Sequence, residues 1–182
     1  RCLAQPLPNR GAIVFACDPF NPGVDGCSVT TGVGTAIYAA QVTPGSTVAV
    51  IGCGGVGLNV VQGARIAGAA SIIAVDVNDA ALEFAGRFGA TVGLNPLNGD
   101  PVKAIKDMTG GKGADFTFEA FGSSETTTMA FDAVRKHGTA VIAGIAPTGD
   151  YAAIDPVALV RQEKTLRART TGRLSRRSTS TA

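Results

Sequence analysis

Short apolar runs alternate with longer amphipathic stretches along most of the chain. Residues 47–51, 71–76, 91–94, 115–119 and 139–144 read as strands, and 164–167 begins another. Between them the spacing predicts helices over about 57–67, 79–88 and 125–136, one opened by Asp100-Pro101, and a short last one opened by Asp155-Pro156. Their ends carry physical punctuation. Gly68 ends the first, and Asn78 caps the second with Gly89 at its C′ position. Pro101 sits at the first helical position, and Gly110 and Gly111 end that helix. Ser124 is the expected cap of the 125–136 helix, with His137-Gly138 closing it and His137 set to meet the helix dipole. Ahead of these, the small and apolar residues of 26–40 predict a helix packed tightly on something flat, and Thr43-Pro44-Gly45-Ser46 predicts a turn. Strands alternating with helices imply right-handed crossovers and an α/β fold, a doubly wound, mostly parallel Rossmann sheet.

The pattern fails at both ends. Pro6, Pro8, Pro19, Pro22 and Gly23 break any period over residues 1–26, where only 12–16 could form a strand. From Thr170 onward Leu174 is the one large apolar residue, so this stretch cannot bury itself. The expected organisation is an irregular segment over 1–26, a folded domain over 27–167 and a disordered Ser/Thr/Arg tail over 168–182.

Composition changes this picture little. A chain of 182 residues suits one domain with a real core, and 5% aromatics beside many Ala, Gly, Val and Ile fits close packing of helices on a sheet. No apolar run approaches a membrane span and no secretory leader is visible, although the chain starts at Arg1. Cys2, Cys17, Cys27 and Cys53 form no C-x-x-C pair, which favours a reduced, cytoplasmic setting. The net charge of +2 misleads: Arg167, Arg169, Arg173, Arg176 and Arg177 lie together without an acid, and the rest of the chain is net acidic. A nucleic-acid surface needs cations over a folded face with aromatics to stack on, and this tail has neither.

The strongest chemical signal is the join between the 47–51 strand and the next helix. Gly52, Gly54 and Gly57 have the G-x-G-x-x-G spacing. Gly52 permits a tight turn, Gly54 lets backbone N–H groups approach a pyrophosphate, and Gly57 lets helix and strand pack closely. The helix N-terminus turns its positive end toward the phosphates. About twenty residues on, the next strand ends in Asp76, where a carboxylate accepts from a ribose 2′-OH and repels a 2′-phosphate. The expected cofactor is therefore NAD rather than NADP, and 27–167 reads as an NAD-binding domain.

With that order established, the chain resembles the medium-chain, zinc-dependent alcohol dehydrogenase family over roughly residues 26–167. Gly26-Cys27 followed by Thr30-Thr31-Gly32-Val33-Gly34 resembles the segment before that family's cofactor domain. Val50 to Gly57 resembles its nucleotide turn, and Ile72 to Asp76 its ribose strand. Phe118-Glu119-Ala120-Phe121-Gly122 and Val141-Ile142-Ala143-Gly144 resemble its fourth and fifth strands. The resemblance implies hydride transfer between NAD(H) and a small alcohol or aldehyde, with a zinc ion polarising the alcohol oxygen. It implies that Cys27 matches one of three zinc ligands and that Thr31 lies beside the nicotinamide. It also implies that Gly55 belongs to the phosphate turn, that Val56 packs on the nicotinamide, and that Ala120, Phe121, Ala143, Gly144 and Ile145 line the cofactor channel.

Departures from the family pattern qualify the chemistry. The family's other zinc ligands, its proton relay and its four-cysteine structural zinc site belong to a catalytic domain with no counterpart in this sequence. One cysteine is not a zinc site, so zinc is not expected to be retained, and the chain reads as a cofactor domain unable to catalyse alone. The edge used for subunit pairing also diverges from Arg167, which leaves a homo-oligomer open. Cys53 reads as packing, and Glu119 as a structural or cofactor-edge residue. Lys112 in Gly110-Gly111-Lys112-Gly113 fails as a phosphate loop, because no Ser or Thr follows it. Alternatives are a dinucleotide-binding module without catalysis and a methyltransferase. A short-chain dehydrogenase is disfavoured because neither Tyr38 nor Tyr151 has a lysine four residues on.

Overall fold

The computed structural model describes residues 25–169. The strand expected at 12–16, Cys2 and Cys17, and nearly all of the expected N-terminal segment and tail fall outside the described residues.

Six strands form one sheet: β1 (Thr47–Ile51), β2 (Ser71–Val75), β3 (Val92–Leu94), β4 (Ala114–Glu119), β5 (Val134–Ile142) and β6 (Thr165–Ala168). Their order is β3-β2-β1-β4-β5-β6, and every neighbouring pair is parallel. Strands β2 and β3 are added on one side of β1 and β4 to β6 on the other, so β1 and β4 flank the point where a doubly wound fold opens a crevice at its carboxyl edge.

Strand alternation divides the core between two faces. Val48 and Val50 turn to one face, where α2 (Gly55–Ile66) brings Val60, Val61 and Ala64. On that side α3 (Asp79–Phe88) packs Ala81 and Ala85 against Leu58 and Ala74. Ala49 and Ile51 turn to the other face, toward Ile105 of α4 (Pro101–Met108) and Ala130 and Ala133 of α5 (Ser124–Ala133). Full burial of each Val or Ile stabilises the fold by about 1.5–3 kcal/mol, so both faces are needed to hold β1 in the middle.

The capping chemistry follows local hydrogen bonding. Asn78 Oδ1 accepts from Ala80 N–H at 3.0 Å, and Asp100 Oδ1 accepts from Val102 and Lys103 N–H. Asp155 Oδ1 accepts from Val157 N–H at the start of α6 (Pro156–Arg161).

Several expectations need correction. Ser123, not Ser124, caps α5. Its Oγ accepts from Thr126 N–H at 3.1 Å, while Ser124 N–H donates to Asp150 Oδ2. That helix ends at Ala133, and β5 begins at once. His137 therefore stands within a strand, not at a helix terminus: its φ is 58°, its N–H donates to Gln162 O at 2.9 Å, and its Nδ1 lies 3.1 Å from Glu163 Oε2. The residues of 26–40 form α1 (Asp25–Gly34) followed by a π-helical turn (Thr35–Ala40). The small residues of α1 meet α2, while Ala36, Ala39 and Ala40 of the π-helical turn pack as expected against the sheet, in one core with Val48, Val50, Phe118 and Val141. A Cβ on Gly32 would strike Val56 O and Asn59, and Gly63 faces Val33 and Ala36. These contacts advance together along both helices, so α1 and α2 run the same way.

Candidate dinucleotide site

The glycine turn is shaped by contacts that leave no room for side chains at two positions and open space at a third. Gly52 has φ +90°, and its N–H donates to Val75 O at 2.9 Å. A Cβ there would approach Phe121 N to 2.9 Å. At Gly57 a Cβ would collide with the Gly52 carbonyl, so glycine is what lets α2 dock on the end of β1. Gly54 is different: it is exposed, and a Cβ would meet nothing within 4 Å. Gly54 is also the N-cap of α2, with no side chain bonded to the first turn. The first N–H groups of an α-helix have no intrahelical acceptor, and those of α2 follow directly on Gly54.

Asp76 follows directly on β2 and lies beside the turn. Cys53 N–H donates to Asp76 Oδ2 at 2.7 Å, and Asn78 N–H donates to Oδ1 at 2.9 Å. Each carboxylate oxygen has two lone-pair directions, so the half-buried group keeps capacity for further donors such as ribose hydroxyls. Cys53 itself is 2% exposed. Burial, reinforced by the charge of Asp76, pushes its thiol up to about 12, so it packs as a neutral group.

The wall opposite comes from the exits of β4 and β5. Ala120 N–H donates to Ile51 O at 2.8 Å, which holds the exit of β4 against β1. Ala143 and Gly144 N–H both donate to the Glu119 carbonyl, at 2.8 and 3.1 Å. Phe121 and Ile145 stand out from this wall, 69% and 78% exposed. Exposed apolar side chains beside a switch-point crevice are suited to a flat ring. Val56 is half-buried in the first turn of α2, and Thr31 is buried on α1 level with that turn, since the adjacent Gly32 touches Val56 O. Cys27 lies on α1.

The residues named from the sequence at positions 52–57, 76, 120–121 and 143–145 thus converge on one carboxyl edge of the sheet. Gly122, beside Ala120 and Phe121, was not itself singled out as part of the site. Its Cβ position is filled by Ile145 O, and the close sequence Glu119-x-x-Gly122 was the available signal. Lys112 lies at the other edge, in a cavity of about 780 Å³ lined by Met108, Gly110, Asp115, Arg135 and Lys136. The backbone N–H groups of that loop are spent internally: Gly111 donates to Lys106 O at 2.7 Å and Gly113 to Thr109 Oγ1 at 2.8 Å. They do not form a phosphate cradle. Among the described residues no three His, Cys, Asp or Glu side chains converge as a metal site, and no helix is long and apolar enough to cross a membrane.

Comparison with known proteins gives a consistent result. A family model described as zinc-binding dehydrogenase matches residues 55–182. The S-(hydroxymethyl)glutathione dehydrogenase of Saccharomyces cerevisiae is 43% identical over 81% of this chain, and the match spans 40% of that protein. The benzyl alcohol dehydrogenase of Acinetobacter calcoaceticus superposes with a TM-score of 0.77 at 37% identity, covering 80% of this chain and 40% of its own. A zinc-binding dehydrogenase of Sinorhizobium meliloti, solved bound to NADP, gives 0.76 at 29% identity, covering 80% and 43%. The chain therefore spans about two fifths of the length of the relatives it matches.

Proposed function

This chain belongs to the zinc-binding dehydrogenase family, and on that premise we propose that it supplies the NAD-binding domain of an alcohol dehydrogenase, over about residues 27–167. The observation that carries the reading is the pairing of an open Gly54 site with the Asp76 carboxylate, 2.7 Å from the Cys53 N–H of the same turn. The pyrophosphate would lie over Gly54, Gly55 and the first turn of α2, and the adenosine ribose on Asp76. The nicotinamide would lie toward Thr31, Val56 and the wall formed by Ala120, Phe121, Ala143, Gly144 and Ile145. NAD supplies the hydride chemistry; the chain binds it and keeps water from one face of the ring.

In the whole family protein the reaction is hydride transfer between a small alcohol or aldehyde and NAD. Cys27 is offered as one thiolate of the zinc in that protein. The described residues do not complete a zinc site, so no step of the reaction is routed through the metal here. A cytoplasmic setting belongs to the same reading, supported by the cysteine usage.

Calorimetric titration of the full chain tests this. NADH should bind, NADPH should bind at least about tenfold more weakly, and S-adenosylmethionine should give no heat, since a 2′-phosphate placed on Asp76 meets a like charge. Asp76→Asn should bring the two nicotinamide cofactors to within about threefold of each other. Binding of S-adenosylmethionine with none of NADH would overturn the reading in favour of a methyltransferase.

A further inference from the structure

Glu119, the last residue of β4, is fully buried, and its carboxylate is used unevenly. Oε1 accepts three hydrogen bonds: from Phe121 N–H at 2.8 Å, Gly122 N–H at 2.6 Å and Thr126 Oγ1–H at 2.8 Å. Oε2 has no partner. A buried carboxylate oxygen left unpaired is expensive, because it has given up water without a replacement donor. It persists where the surrounding structure gains something from the arrangement.

The gain is geometric. The three donors belong to the turn after β4 and the first turn of α5. That turn touches everything that shapes the second half of the crevice. Phe121 N and Ala120 C close on Gly52, the first glycine of the phosphate turn. Ile145 O fills the Cβ position of Gly122, and Gly144 has no room for a Cβ because Gly122 N and Glu119 Oε2 occupy it. Meanwhile the Glu119 backbone carbonyl holds Ala143 and Gly144. One residue thus fixes the exits of β4 and β5 to each other and to the glycine turn. In a doubly wound fold those exits form the second mononucleotide half, which takes the nicotinamide end of a dinucleotide.

We propose that Glu119 is a positioning residue for the nicotinamide half of the bound dinucleotide, acting through the Ala120–Gly122 turn and the Ala143–Ile145 turn. The proposal rests on the NAD-binding reading given above. A negative acceptor is what allows one oxygen to hold three donors with charge-assisted bonds. Glutamine keeps the shape and an acceptor at the Oε1 position but without the charge, and sets an NH2 group at the unpartnered Oε2 position against Gly144. The three bonds to Oε1 weaken, and the two turns loosen while the rest of the sheet stays paired.

The full chain and its Glu119→Gln and Thr126→Val variants are titrated with NADH and with ADP, which lacks the nicotinamide. In parallel, amide hydrogen exchange is followed residue by residue. Glu119→Gln should weaken NADH about tenfold and ADP by less than about twofold. Thr126→Val, which removes one of three donors, should weaken NADH about threefold with ADP unchanged. Exchange should quicken at 120–126 and 143–145 and stay as in the parent at β1 and β2. Equal losses for NADH and ADP, an unchanged NADH affinity, or faster exchange throughout the sheet would overturn the proposal. Should the parent bind no NADH, the dinucleotide reading fails by itself. The exchange map then decides on Glu119 alone: local loosening supports its hold on the two turns, and uniform or absent loosening refutes it.

Discussion

Two glycines of the same turn respond to opposite physical demands, and alanine tells them apart. At Gly57 an added methyl collides with backbone. Gly57→Ala should cost about 3 kcal/mol or more of stability, read by urea denaturation, because overpacking against a carbonyl cannot be relieved by a rotamer. At Gly54 the methyl meets open space. Gly54→Ala should leave stability within about 1 kcal/mol, yet weaken NADH at least about tenfold by entering the volume left for the pyrophosphate. An equal loss of stability in both variants would show that the turn is packed rather than open. Much at this scale was legible in the sequence. The glycine spacing and the acid one strand on are set by short-range geometry, so residue type and interval name them. The cap of α5 was not, because Ser123 and Ser124 are chemically alike and which one bends into the cap depends on a tertiary partner, Asp150. The hold of Glu119 on two turns was also hidden, since it depends on where the chain returns after β5.

At the scale of elements, the join of β4 with β5 departs furthest from the pattern. Ala114 pairs with Val134, but Phe116 pairs with Thr139, so Arg135 to Gly138 bulge out. The bulge is tied down through Asp115, which accepts from Thr47 N–H at 2.7 Å and from Arg135 Nε at 2.6 Å. Burial alone would raise the Asp115 carboxyl; the Thr47 N–H and the Arg135 guanidinium outweigh it and hold the group below the ordinary carboxylate value of 3.8. A depressed folded value means the contribution to stability is full above the unfolded value and is lost as pH falls through the folded one. Arg135→Met should therefore move the acid-unfolding midpoint, followed by circular dichroism, to higher pH. An unmoved midpoint would remove the pair from the account. The sequence predicted helix to 136 because Gly138 mimics a C′ glycine and nothing local announces that Val134 has already joined the sheet. The π-helical turn at Thr35–Ala40 was equally silent: a widened turn alters neither the residue types nor the apolar spacing enough to be read.

For the molecule as a whole, the alternation of runs foretold a parallel doubly wound sheet because each crossover is a local event. The strand order was not predicted, since it depends on which strands meet after long excursions. In the order observed, β1 pairs with β4 although β2 and β3 intervene in sequence. A dinucleotide bound at the carboxyl edge spans that pairing, so it should stabilise both sides at once. NADH at a hundredfold excess over its dissociation constant adds about 2.7 kcal/mol, a rise in Tm of roughly 5–10 °C for a domain of this size. Scanning fluorimetry measures it, and a rise with ADP equal to that with NADH would mean that the β4–β6 side takes no part.

Among the described residues, the β1–β4 pairing is the one place where strands hydrogen-bond across from the β1–β3 side to the β4–β6 side. On the proposed reading, that seam divides the work: substitutions on the β4–β6 side would change what holds the nicotinamide end while leaving the Asp76 side as it is.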